Sequence, residues 1–122
     1  MNEPLNILLV DDEPGFADVL AKRLARRGLF VATARDGGEA LELVQSVQFD
    51  AAVVDLLMPG VDGVQLCKAL HRERPGLAVI ILTGHGSVQE ALRAHEAGAF
   101  EFLFKPVALE LLEETIRRAL DR

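Results

Sequence analysis

Four places along this chain carry residue types that can do chemistry, and each follows directly on a short apolar run. Asp11-Asp12-Glu13 follows Ile7-Leu8-Leu9-Val10, and Asp55 follows Ala51-Ala52-Val53-Val54. Thr83-Gly84 follows the run from Ala78 to Leu82, and Lys105-Pro106 follows the run from Phe100 to Phe104. Taken singly, each has a simple structural use. Acidic residues just ahead of Pro14 are good helix-start residues, Asp55 suits a turn, Thr83 a cap and Lys105 a solvated surface. Brought together, they have a different chemistry. Crowded carboxylates raise one another's pKa unless a cation lies between them. Carboxylate oxygens with no histidine or cysteine beside them suit Mg²⁺, which keeps several waters and uses one or two carboxylates. A magnesium ion, a lysine and a hydroxyl around one carboxylate are the equipment for phosphoryl transfer. With an aspartate as nucleophile the product is an acyl phosphate.

Whether the four places meet depends on the elements that carry them. A further apolar run from Leu29 to Ala34 makes five, recurring about every two dozen residues. The first, third and fourth are continuously apolar, the pattern of strands buried on both faces of a parallel sheet. The fifth, with Phe100, Phe102 and Phe104 interrupted by Glu101, suits an edge or near-edge strand. Between the runs the period is helical. Phe16, Val19, Leu20 and Leu24 form one apolar stripe closed by Gly28; Ala40, Leu41 and Val44 form a second. Leu66, Ala69 and Leu70 precede Pro75-Gly76, and a helix from Ser87, capped through Glu90, runs toward Gly98. Leu109, Leu112, Ile116 and Leu120 carry a fifth helix.

Five β-α repeats predict an α/β fold: a doubly wound, five-stranded parallel sheet with helices on both faces, order 2-1-3-4-5, of the flavodoxin-like kind. In that order the carboxyl ends of strands 1, 3, 4 and 5 lie side by side at roughly 4.8 Å spacing. A ligand site is expected just beyond them. Lys105, two strands from Asp55, needs its long side chain to reach across. Strand 2 ends in Arg35-Asp36 without an obvious chemical group.

The composition narrows the function classes. The chain has 122 residues, 50% hydrophobic and 26% charged, with net charge -6. That predicts one domain over residues 1–122 with a real core, and it argues against disorder. Cys67 is the single cysteine, which excludes an internal disulfide and points to a reducing, cytoplasmic setting. No apolar run reaches the roughly 18 residues that cross a bilayer, and Met1-Asn2-Glu3-Pro4 lacks a basic secretory start. The acidic balance speaks against direct binding of a nucleic-acid backbone.

The residues Leu9-Val10-Asp11-Asp12-Glu13, Asp55-Leu56-Leu57-Met58-Pro59-Gly60, Thr83-Gly84 and Phe104-Lys105-Pro106, in this order and spacing, resemble the receiver domain of two-component response regulators. The resemblance covers essentially the whole chain. It implies that Asp55 accepts a phosphoryl group from a phosphohistidine of a histidine kinase or phosphotransfer protein. It implies that Asp11 and Asp12 organise Mg²⁺, with Asp12 the direct ligand, joined by Asp55 and the backbone carbonyl of Leu57. Thr83 would be the switch hydroxyl, Lys105 would pair with a phosphoryl oxygen, and Lys105-Pro106 would be a cis peptide. Phe102 matches the family's switch aromatic, and helix 4, strand 5 and helix 5 would form the output face. That face carries Arg93, Glu96, Glu101, Glu110, Glu113, Arg117 and Arg118, which fit either a homodimer of paired charges or a solvated surface.

Leu57 and His85 depart from the commonest version of the family. They are expected to tune how fast water removes the phosphoryl group, Leu57 by shielding it and His85 by orienting water, unless His85 is a plain loop residue. The stretch from Thr83 to Ser87 and Ala97-Gly98-Ala99 look like receivers attached to transcriptional activators or hybrid kinases. An output domain would then lie beyond Arg122 or in another chain. The chain is expected to be a phospho-acceptor rather than an enzyme on a separate substrate, catalysing at most its own phosphorylation from small phosphodonors and its own dephosphorylation. Three competing readings remain. A haloacid-dehalogenase-like phosphatase also uses aspartate, threonine, lysine and Mg²⁺, but from an Asp-x-Asp pattern whose second acid would here be Glu13. A flavin-binding flavodoxin-like module lacks its phosphate loop here, and the chain has no Trp or Tyr to stack on the ring. A receiver kept only as a docking scaffold would have no use for a complete acidic pocket.

Overall fold

In the computed structural model, residues 4–58, 61–84 and 88–121 are described. The strands are β1 (Asn6–Val10), β2 (Phe30–Ala34), β3 (Ala51–Val54), β4 (Ala78–Thr83) and β5 (Glu101–Phe104). The helices between and after them are α1 (Pro14–Arg26), α2 (Gly37–Ser46), α3 (Gly63–Glu73), α4 (Val88–Glu96) and α5 (Leu109–Leu120). All five strands pair in parallel in the order β2-β1-β3-β4-β5, as the alternating pattern predicts. A two-stranded antiparallel ladder, Leu57–Met58 with Val61–Asp62, adds to this between β3 and α3. Two-residue strands carry no readable period, so the sequence does not announce them.

Alternation along the central strands splits the interior. Leu8 and Val10 of β1 join Val54, Leu70 and Ile81 in a core under α2, α3 and α4. Ile7 and Leu9 join Val53, Ile80, Leu24 and Ile116 in a second core under α1 and α5. On α1 the buried positions are Ala17, Leu20 and Leu24. Val19, expected in that stripe, is instead 52% exposed, because the helix turns its Ala17 side to the sheet.

Local chemistry sets the helix ends. Asp36 accepts the Glu39 N–H at 2.8 Å while the Glu39 carboxylate accepts the Arg35 N–H at 2.8 Å, a reciprocal start for α2. Asp62 accepts the Val64 N–H at 2.9 Å and so caps α3. After α1 and α4 the chain turns through Gly28 (φ 90°) and Gly98 (φ 107°). In each case the next N–H donates back into the last turn, Leu29 to Leu24 O and Ala99 to Ala94 O. Ser87, the expected cap of α4, lies outside the described residues.

Candidate functional site

The ladder hydrogen bonds run one residue beyond the strands, and that extra step fixes the site. The Asp11 N–H donates to Ala34 O at 3.0 Å and the Asp55 N–H to Val10 O at 2.9 Å. The Lys105 N–H donates to Thr83 O at 2.9 Å. The backbones of Asp11, Asp55 and Lys105 are therefore held by the sheet itself rather than by loops, at the carboxyl edge where a parallel sheet presents its ligands. Thr83 ends β4, fully buried, in register with Phe104. The Lys105-Pro106 peptide is cis.

The side chains converge. Asp11, Asp12 and Asp55 each offer a carboxylate oxygen, and these oxygens lie within 4.8 Å of one another. Asp11 is 2% and Asp55 5% exposed. The Lys105 ammonium crosses β4 to reach them, donating to Asp11 Oδ2 at 2.8 Å and to Asp55 Oδ2 at 3.4 Å. Asp11 Oδ1 meanwhile accepts the Glu13 N–H at 2.9 Å.

The charges in this pocket are out of balance. Burial pushes the Asp11 carboxyl above its ordinary pKa, outweighing the Lys105 contact that pulls it down, and the neighbouring Asp55 charge adds to the rise. Burial acts to lower Lys105, but its bonds to Asp11 and Glu13 together outweigh this and leave it above an ordinary lysine. One ammonium thus serves several carboxylates. The residues fit a hard divalent cation: the clustered donors are all carboxylate oxygens, and the buried Asp11 is the member an added positive charge would relieve.

Of the remaining expected residues, Phe102 is half-buried against the core under α2, α3 and α4. Its ring lies 5.1 Å from that of Phe104, tilted by 59°. The backbone of Leu57 lies in the short ladder directly after the site, but its side chain is outside what is described. His85 also lies outside the described residues. Six of the seven charges named on the α4–β5–α5 face are already engaged within the chain, Arg93 with Asp62 at 3.7 Å and Glu110 with Arg27 at 4.0 Å among them. Arg118 pairs with Glu101 at 3.3 Å and Arg117 with Glu113 at 3.0 Å, and Glu113 also holds Arg27.

Two further side chains touch Lys105: Glu13, which stands at the end of the first apolar run, and Phe16, which does not stand at a strand end. The Glu13 carboxylate accepts from the Lys105 ammonium at 3.1 Å, and the Phe16 ring lies beneath it at 4.0 Å. Glu13 reads in sequence as a helix-start acid and Phe16 as one more stripe position. Only the path of Lys105 across the sheet brings them into the pocket.

Comparison with known proteins gives this geometry its context. The profile of the response regulator receiver domain matches residues 7–117. The chain is 40% identical over 121 residues to the transcriptional regulatory protein GlrR of Escherichia coli K12, covering 99% of this chain and 27% of that protein. It therefore spans about a quarter of that relative's length. A receiver domain protein described as CheY-like, from Methanospirillum hungatei JF-1, superposes with a TM-score of 0.92 at 32% identity, over 97% of this chain and 94% of that one. A response regulator from Burkholderia pseudomallei, solved with a phosphorylated aspartic acid, a calcium ion and citrate, superposes with a TM-score of 0.90 at 32% identity. That match covers 96% of this chain and 69% of the other. By sequence and by fold, the chain belongs to the receiver domains of two-component response regulators.

Proposed function

We propose that residues 1–122 act as one phosphorylation-dependent switch, in which Asp55 takes a phosphoryl group from a phosphohistidine of a histidine kinase or phosphotransfer protein. The observation that carries this reading is the buried Asp55 at the end of β3, with the Lys105 ammonium and two further aspartates converging on it. An Asp55 carboxylate oxygen attacks phosphorus, the O–P bond forms as the P–N bond breaks, and the imidazole leaves with the electron pair and takes up a proton. Asp11, Asp12, Asp55 and the Leu57 backbone carbonyl would hold Mg²⁺, with Asp12 as the direct aspartate ligand. When bound, Mg²⁺ offsets the negative charge gathering on the transferring oxygens. Lys105 follows the charge, exchanging a carboxylate partner for a phosphoryl oxygen, while the Thr83 hydroxyl bonds another. The same pocket lets the chain phosphorylate itself from small donors and lose the group to water.

Transfer then biases a pre-existing equilibrium by differential bonding of Thr83 and Lys105. Thr83 vacates its buried place, Phe102 turns toward it, and the face made by α4, β5 and α5 changes. That face is the output surface and the place for a homodimer. Dimerisation there must keep or exchange the Glu101–Arg118 and Glu113–Arg117 pairs. The partners are proteins rather than DNA or a membrane, and the setting is cytoplasmic; no described helix is long and apolar enough to span a bilayer.

The decisive test is acetyl phosphate or beryllofluoride with Mg²⁺. The wild type should incorporate phosphate or change its spectrum, and Asp55→Asn should lose the entire response. A silent wild type would leave only a docking scaffold, and turnover of a small phosphate ester through Asp11 would mean a phosphatase instead. Decay of the phosphorylated protein should quicken in Leu57→Asn and slow in His85→Ala; unchanged rates in both would sink the tuning role of those two positions.

A further inference from the structure

Lys105 is only 13% exposed although its ammonium stands at the mouth of a polar pocket, beside a Glu13 carboxylate that is itself 64% exposed. Part of that shielding comes from an unexpected neighbour. The ring of Phe16, in the first turn of α1, presents its face to the Lys105 nitrogen at 4.0 Å from the ring centre. The ring is half-buried and packed on the core under α1 and α5, so its position is fixed by the fold rather than by the lysine. An aromatic face carries partial negative charge and attracts an ammonium, more strongly where water is kept away.

The geometry around the nitrogen sharpens the point. Its contacts lengthen from 2.8 Å at Asp11 to 3.1 Å at Glu13 and 3.4 Å at Asp55. The carboxylate it holds least tightly is the one the proposed reaction modifies. A lysine pulled only by Asp11 and Glu13 could swing toward solvent with Glu13. The Phe16 face offers a neutral attraction that keeps it over the pocket without adding another anion to compete with a phosphoryl group.

We propose that Phe16 is a positioning residue for Lys105, holding the ammonium by its ring face within reach of the oxygen that becomes phosphorylated. The inference rests on the reading of Asp55 as phospho-acceptor for its kinetic consequence, but its geometric part stands apart from that reading. Ring shape and ring electronics must therefore be tested separately. Phe16→Leu removes the aromatic face and keeps an apolar side chain, and Phe16→Tyr keeps the face. Mono-, di- and trifluorinated phenylalanine at this position keep the shape while draining the negative charge from the face.

Two measurements decide it. In the unphosphorylated protein the Lys105 ε-methylene protons should show an upfield ring-current shift by NMR, lost in Phe16→Leu and kept in Phe16→Tyr. With acetyl phosphate and saturating Mg²⁺, the phosphorylation rate should fall about three- to fivefold in Phe16→Leu, as expected for losing one partly exposed cation–π contact. Phe16→Tyr should restore the rate, and it should fall stepwise with each added fluorine. Equal rates across the fluorinated series would overturn the proposal, since packing alone is blind to ring charge; so would Lys105 resonances that ignore Phe16→Leu. A wild type with the ring-current shift but no phosphorylation would support the contact and overturn the reading of Asp55.

Discussion

At Asp11 two opposed demands meet: the fold buries the carboxylate, and the proposed Mg²⁺ site would use it charged. Burial lifts its pKa in the folded state. The stability linked to this group is therefore fully present below the ordinary aspartate value, about 3.9, and is lost as pH rises through the higher folded value. Metal-free protein at neutral pH carries that loss. Asp11→Asn keeps an oxygen for the Glu13 N–H and removes the charge. It should raise the denaturant midpoint in EDTA and abolish stabilisation by Mg²⁺; a lowered midpoint would show that the Lys105 pair outweighs the burial. Wild type should gain about 2.7 kcal/mol when Mg²⁺ reaches about a hundred times its Kd, read by denaturation across a Mg²⁺ series. At this scale the meeting of Asp11, Asp12, Asp55 and Lys105 was legible because each stands within two residues of the end of an apolar run that becomes a strand. Glu13 and Phe16 were not legible as partners of Lys105. Their meeting depends on a side chain crossing β4, and distance across a sheet leaves no mark on spacing along a chain.

At the scale of elements, the segment after Asp55 is tied to α3 and α4 through small, specific contacts. Asp62 caps α3 with one carboxylate oxygen and lies 3.7 Å from Arg93 of α4 with the other. Asp62→Ala should cost about 1 kcal/mol, mostly from the cap, because the ion pair is exposed. Gly63→Ala should cost more: a Cβ there would lie 2.6 Å from the Leu56 Cα, a backbone atom that cannot step aside. Where α3 meets α4, the Cys67 thiol is buried with its sulfur 3.8 Å from Ala97 O, and burial pushes its pKa up to about 11. The unfolded chain gives up that proton first, so stability should fall as pH climbs from about 8.5 toward about 11. Cys67→Ala should flatten that part of the pH profile; an unchanged slope would assign it to the lysines. The five strands were readable because continuous apolar runs leave few alternatives. The Leu57–Asp62 ladder and the outward turn of Val19 were not, since short pairings and helix rotation are decided by what packs against them.

The whole molecule is a sheet with two interiors that share a wall and little else. Leu70 is fully buried in the core under α2, α3 and α4, and Ile116 in the core under α1 and α5. Leu70→Ala and Ile116→Ala should each cost about 2–5 kcal/mol. The double variant should equal their sum within about 0.5 kcal/mol, measured by urea denaturation; a larger discrepancy would mean the sheet transmits strain between its faces. The strand order was readable from the alternation of elements, and the division into two cores follows from it. Such a partition also has an evolutionary consequence. Each interior can drift by its own compensating substitutions while the strand-end aspartates and lysine stay where they are. Chimeras that take α1 and α5 from one homologue and α2 to α4 from another should therefore fold, and residues should co-vary within a face more than across it.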